Sequence, residues 1–133
     1  MSALSAAAKQ GLGDPVLAEL VMIRASQLNH CAFCLDMHLQ VARKNGESED
    51  RIQLLNAWEE AEDLYSERER AALALTEAVT VLTEGFVPDE VYEGAAKHFD
   101  EAELAHLIAL ITAINGWNRL MVSRRVPPGG YRP

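Results

Sequence analysis

The stretch Asn29-His30-Cys31-Ala32-Phe33-Cys34-Leu35-Asp36-Met37-His38 is the part of this 133-residue chain that says most about its architecture and chemistry. Side chains three, four and seven apart share one face of a helix. Cys31, Cys34 and His38 stand at those intervals, so a helix beginning near residue 31 lines all three up. Gly46 supplies its stop, in the sequence Asn45-Gly46. On the N-terminal side, Asn29-His30 interrupts an earlier apolar series of Val16, Leu17, Leu20, Ile23 and Leu28. That series keeps helical spacing behind Asp14-Pro15, a cap followed by proline in the first turn.

The rest of the chain is punctuated in the same way. Ser48 caps a segment expected over 48–61, which buries Ile52, Leu55 and Trp58. Ser66-Glu67-Arg68-Glu69 is a capping-box pattern opening a helix towards Gly85. Pro88-Asp89-Glu90 begins a shorter helix to about residue 99. Asp100-Glu101-Ala102-Glu103 then opens the longest one, over 101–123. Period-two alternation and Asn-Gly or Asp-Gly hairpin signals are lacking. The expectation is an all-α fold: one compact domain over 15–125, of about six helices, with the CxxC at the N-terminal end of a core helix. Residues 1–14 form an N-terminal segment, either flexible or an extra helix. Residues 126–133 form a tail, frayed or extended, that its prolines bar from helix. The last helix is apolar on nearly every side through Leu104, Leu107, Ile108, Leu110, Ile111, Ile114 and Trp117. Such a helix is either central in the domain or an oligomer interface.

Bulk properties narrow the function. Hydrophobic residues make up 49% and charged residues 24%, a globular balance. Twelve Lys and Arg against twenty Asp and Glu leave a net charge of −8, which repels phosphate backbones and argues against nucleic acid. The longest nearly uncharged stretch, 104–117, is shorter than the roughly 20 residues a membrane crossing needs. A secretory pattern is not visible near Met1, so a cytoplasmic location is expected. Two cysteines in a reducing compartment point to redox chemistry or a metal rather than a structural disulfide.

A helix start offers unsatisfied N–H groups and a favourable dipole to a thiolate. His38, one turn beyond Cys34, stands where a base would exchange a proton with it. Other readings stay open on the residues alone. One packs the cysteines as small apolar groups, and another has Cys31, Cys34, His38 and Glu19 bind zinc, although a second ligand pair is missing. Glu19 would by itself be read as solvated. His30 is either an auxiliary acid/base group or a polar residue in the helix break. Arg24 either tunes a thiol or holds a carboxylate, and Asp36 points away from the Cys31 face.

The run from Glu19 through Cys31 and Cys34 to His38 resembles the alkylhydroperoxidase D-like (AhpD-like) branch of the carboxymuconolactone decarboxylase superfamily. Arg68-Glu69-Arg70-Ala71-Ala72-Leu73 and Asn115-Gly116-Trp117-Asn118-Arg119-Leu120 extend the likeness over nearly the whole chain from residue 15. The resemblance implies an all-helical protein that assembles as a trimer or hexamer. It also implies an enzyme without cofactor or metal, reducing hydroperoxides through a dithiol–disulfide cycle. Carried over by position, Cys34 attacks the peroxide, Cys31 closes the disulfide, and Glu19 with His38 relays protons. The implied partners are a hydroperoxide and an external dithiol reductant, lipoyl or thioredoxin-like. The alternatives kept beside it are a dithiol–disulfide oxidoreductase without peroxidase activity and a redox-sensing or zinc-binding scaffold. The best-known peroxidase of this branch has a histidine directly before its second cysteine, where this chain has Phe33.

Overall fold

Ten consecutive residues of one helix, from Leu17 to Ser26, are buried, and the fold is arranged around that fact. The computed structural model describes residues 1–83 and 85–131. Among these residues there are seven α-helices and no strand: α1 (Ser2–Leu12), α2 (Pro15–Leu28), α3 (Ala32–Lys44), α4 (Glu49–Leu54), α5 (Glu67–Thr80), α6 (Asp89–Ala96) and α7 (Glu101–Ser123). The all-helical class expected from the sequence is the one observed.

Local chemistry explains most of the boundaries. The Asp14 carboxylate accepts the Leu17 N–H at 3.1 Å, with Pro15 in the first turn of α2. Ser48 caps α4, and both capping boxes close reciprocally, Ser66 with Glu69 and Asp100 with Glu103. Gly46, at φ 90°, is the left-handed stop after α3.

Four differences have physical causes. The N-terminal segment is helical: α1 is rich in alanine, the best helix former, and ends at Gly13 in the left-handed conformation, φ 68°. A Cβ on Gly11 would collide with the His106 ring, so the glycine lets α1 lie close against α7. The segment expected over 48–61 is α-helical only to Leu54; tighter 3₁₀ turns follow over Leu55–Glu60, with a kink at Ala57. That kink accompanies the burial of both Leu55 and Trp58, whose indole N–H donates to Glu77 at 3.0 Å. Helix α5 ends at Thr80, in the β-branched run Val79-Thr80-Val81, and does not continue towards Gly85. Helix α6 ends at Ala96, short of residue 99.

Helix α2 separates two apolar clusters. One joins it to α1, α5, α6 and α7 through Leu17, Val21, Leu107, Ile111 and Ile114. The other joins it to α3, α4 and α5 through Leu20, Ile23, Ile52, Leu55 and Leu73. Each fully buried Leu or Ile contributes about 1.5–3 kcal/mol relative to exposure. The apolar faces of α7 are largely covered by its own chain, while Leu120 and Val122 near its end are exposed. The tail leaves α7 by a turn at 124–125, bends at 128–129, and the Gly129 N–H donates to Asp36 on α3 at 2.9 Å. Its last residues, Arg132 and Pro133, lie outside the described residues.

Candidate functional site

The dithiol is set by how α2 ends. The Cys31 N–H donates to the Ser26 carbonyl (3.0 Å) and the His30 N–H to the Gln27 carbonyl (3.2 Å), a Schellman turn. It requires a left-handed residue between, and His30 takes that position at φ 55°. The turn is anchored from α7. The Asn29 side-chain amide donates to Asn115 and Asn118, both at 2.9 Å, and fully buried Asn118 donates to Ser26 Oγ at 3.0 Å. The Asn115–Leu120 motif therefore fixes the strand of chain leading into the cysteines.

Cys31 is the N-cap residue of α3, and its Sγ accepts the Cys34 N–H at 3.3 Å. The two cysteines are joined as a disulfide, their Cα atoms 5.3 Å apart, and both are buried. In the reduced protein the same N–H is available to the Cys31 sulfur at the helix start.

His38, one turn after Cys34, is buried, and its Nδ1 lies 3.3 Å from Glu19 Oε1. Glu19 is 2% exposed because α2 has no solvent face in this region. With Glu19 ionised the carboxylate only accepts, so Nδ1 carries the proton and Nε2 keeps its lone pair for exchange. Lys9 of α1 approaches the other carboxylate oxygen, its Nζ 3.8 Å from Oε2. A cavity of about 550 Å³ reaches His38. Lys9 and His38 line it beside the apolar side chains of Met22, Phe33, Met37 and Trp117.

The structure thus brings together Glu19 and His38, and carries Cys31, Cys34 and His38 on one helix. It sets His30 apart. His30 is exposed and borders a smaller cavity of about 270 Å³ with Cys31, Arg125 and Pro127. Arg24 turns away from the thiols and donates to Glu77 (2.8 Å), Gln27 and Asn56. Among the described residues, no cluster of three or more His, Cys, Asp and Glu side chains is placed to hold a metal ion. Sequence reasoning missed Lys9. The one available signal was its place in an alanine-rich segment able to form a helix, and nothing local says which surface that helix covers.

An all-helical scaffold carrying a helix-capping dithiol and a buried Glu–His pair defines an AhpD-like dithiol protein. The family model for the carboxymuconolactone decarboxylase family matches residues 1–78, which hold Glu19, both cysteines and His38, and the chain belongs to that family. The uncharacterized protein YdfG of Bacillus subtilis is 46% identical over 115 residues, covering 86% of this chain and 78% of its own length. The uncharacterized protein YnjA of Escherichia coli is 36% identical over 118 residues, 88% of this chain; the chain spans only 63% of that longer protein. A crystal structure from Agrobacterium tumefaciens superposes with a TM-score of 0.91 at 36% identity, covering 98% of this chain and 88% of that one. That protein is of unknown function and has been provisionally described as the antioxidant defence protein AhpD. No described helix is long and apolar enough to cross a membrane.

Proposed function

We propose that this protein is a thiol-dependent peroxidase that reduces organic hydroperoxides in a reducing, cytoplasmic compartment. The observation that carries the reading is the buried Glu19–His38 pair standing one turn from Cys34. His38 Nε2 accepts the Cys34 proton. The thiolate attacks the terminal peroxide oxygen and the O–O bond breaks. The departing alkoxide takes the proton from His38 and leaves as alcohol, and Cys34 becomes a sulfenic acid. The Cys31 thiolate then attacks the Cys34 sulfur. Hydroxide leaves and is protonated to water, and the disulfide closes. An external dithiol, lipoyl or thioredoxin-like, returns both cysteines to thiols by exchange and is itself oxidised to a disulfide. The apolar cavity beside His38 suits a hydroperoxide with a hydrocarbon body.

Hydroperoxide loss, followed with a dithiol reductant present, tests the scheme. Cys34→Ser should abolish turnover, and a variant consuming peroxide as fast as the parent would sink the mechanism. One observation favours a second reading: Phe33, not a histidine, precedes Cys34. Brisk disulfide exchange without peroxide turnover would support a dithiol–disulfide oxidoreductase instead. We also propose a trimer or hexamer; light scattering that returned the 14.6 kDa mass of one chain would overturn this.

A further inference from the structure

Glu19 is the buried group that the relay leaves half explained. Oε1 meets His38, but among the described residues the buried Oε2 has no hydrogen-bond partner. A carboxylate held in that state is costly unless an opposite charge compensates it. Among the described residues, the opposite charge within 4 Å of Oε2 is Lys9, at 3.8 Å. Its side chain is 41% exposed while that of Glu19 is 2% exposed, so the ammonium sits at the mouth of the site and faces inward. Lys9 and His38 also line the same cavity. Nor is the lysine incidentally placed: α1 is seated against α7 by Gly11 and buried Ala8 and Leu12, which fixes the direction from which Lys9 arrives.

We propose that Lys9 is a positioning residue for the proton relay. Its charge draws Oε2 and leaves Oε1 turned to His38 Nδ1, so that Nε2 is the nitrogen left free for exchange. Lys9 acts through Glu19 and touches neither sulfur nor substrate. The inference rests on the peroxidase reading only for its consequence in turnover, because activation of Cys34 can be read without peroxide.

The test uses the reduced full chain with Cys31→Ser, so that iodoacetamide alkylation reports Cys34, and measures peroxide turnover separately with both cysteines present. Lys9→Met, which keeps the apolar stem, should slow alkylation by about 10-fold, and Glu19→Gln by a similar factor. Lys9→Arg should restore the rate to within about 2-fold. The combined Lys9→Met/Glu19→Gln variant should be no slower than Glu19→Gln alone, since one residue acts through the other. Lys9→Gln serves as a second neutral variant should methionine disturb α1, and thermal melts identify any unfolded protein. An unchanged rate in a folded neutral variant overturns the proposal, as do losses that multiply in the double variant. A parent that alkylates rapidly but consumes no peroxide refutes the peroxidase reading and leaves the Lys9 comparison intact.

Discussion

The two sulfurs of one disulfide look out on different surroundings. One turn after Cys34, α3 presents His38 to Glu19 of α2, with Lys9 of α1 on the other carboxylate oxygen, and His38 and Lys9 line an apolar cavity. On the Cys31 side the described residues show no comparable convergence. An exposed histidine in a left-handed turn, Arg125 and the proline-rich tail border a smaller opening. The contrast suggests a division of labour: proton chemistry is built into the interior wall, while Cys31 faces the side from which a larger reductant would arrive. Buried polar groups act strongly because little water competes with them, so the two sides should respond very differently to mutation.

The largest effect should separate two histidines. His38→Asn should lower peroxide-dependent oxidation of the dithiol by about 100-fold or more, the usual range for loss of a positioned acid/base group. His30→Asn keeps a residue that tolerates the left-handed turn and should change the same rate by less than about 2-fold. Stopped-flow fluorescence, with Trp117 in the cavity as reporter, measures both. Equal losses would erase the proposed asymmetry between the two sides.

Much of the scaffold was legible because caps and stops are local. Asp14, Ser48, Ser66 and Asp100 each announce a helix through a side chain within three residues of the N–H it accepts. The alignment of Cys31, Cys34 and His38 was legible for the same reason. Helix α1 was not, since it docks through small residues and buries only Ala8 and Leu12, too few to mark an apolar period. Glu19 depended on that gap. Its position in an apolar run fits either a wet face or a buried one, and only the enclosure of α2 on all sides decides between them. Resemblance supplied Glu19, and no pattern in the sequence supplied Lys9. The apolar breadth of α7 fits a central helix or an interface by pattern alone, and its packing against α1, α2, α5 and α6 comes from residues distant in sequence.

A smaller effect should mark the Cys31 side. The bond from the Gly129 N–H to Asp36 holds the tail beside the opening that Cys31 borders. Asp36→Ala should free the tail and speed disulfide reduction by a bulky dithiol by about 5-fold, as loss of roughly one net hydrogen bond allows. Peroxide-driven oxidation should stay within about 2-fold. Thiol trapping after timed exposure to reductant reads the first rate. Slowing both halves of the cycle equally would show that the tail supports the scaffold rather than one sulfur.

The smallest effect belongs to a region away from both sides and calibrates them. Arg51 clips α4 to α5, donating to Glu47 at 2.8 Å and to Glu69 at 2.5 Å. Burial pushes the Glu69 carboxyl up, but hydrogen bonds from Arg51 and Ser66 outweigh it and leave the group below its ordinary value. A carboxyl depressed in the folded state contributes stability above its unfolded value, and that contribution is lost as pH falls through the lower folded value. Urea unfolding compared at neutral pH and below pH 4 should therefore show an acid-sensitive increment that shrinks in Glu69→Gln. Solvent screening holds it to about 1 kcal/mol or less. Because the clip touches neither cavity, Glu69→Gln should leave the rates of Cys34 oxidation and disulfide reduction unchanged at neutral pH. If it altered either rate, scaffold stability would be leaking into the site measurements, and the contrast between the sulfurs would have to be remeasured in a stabilised background.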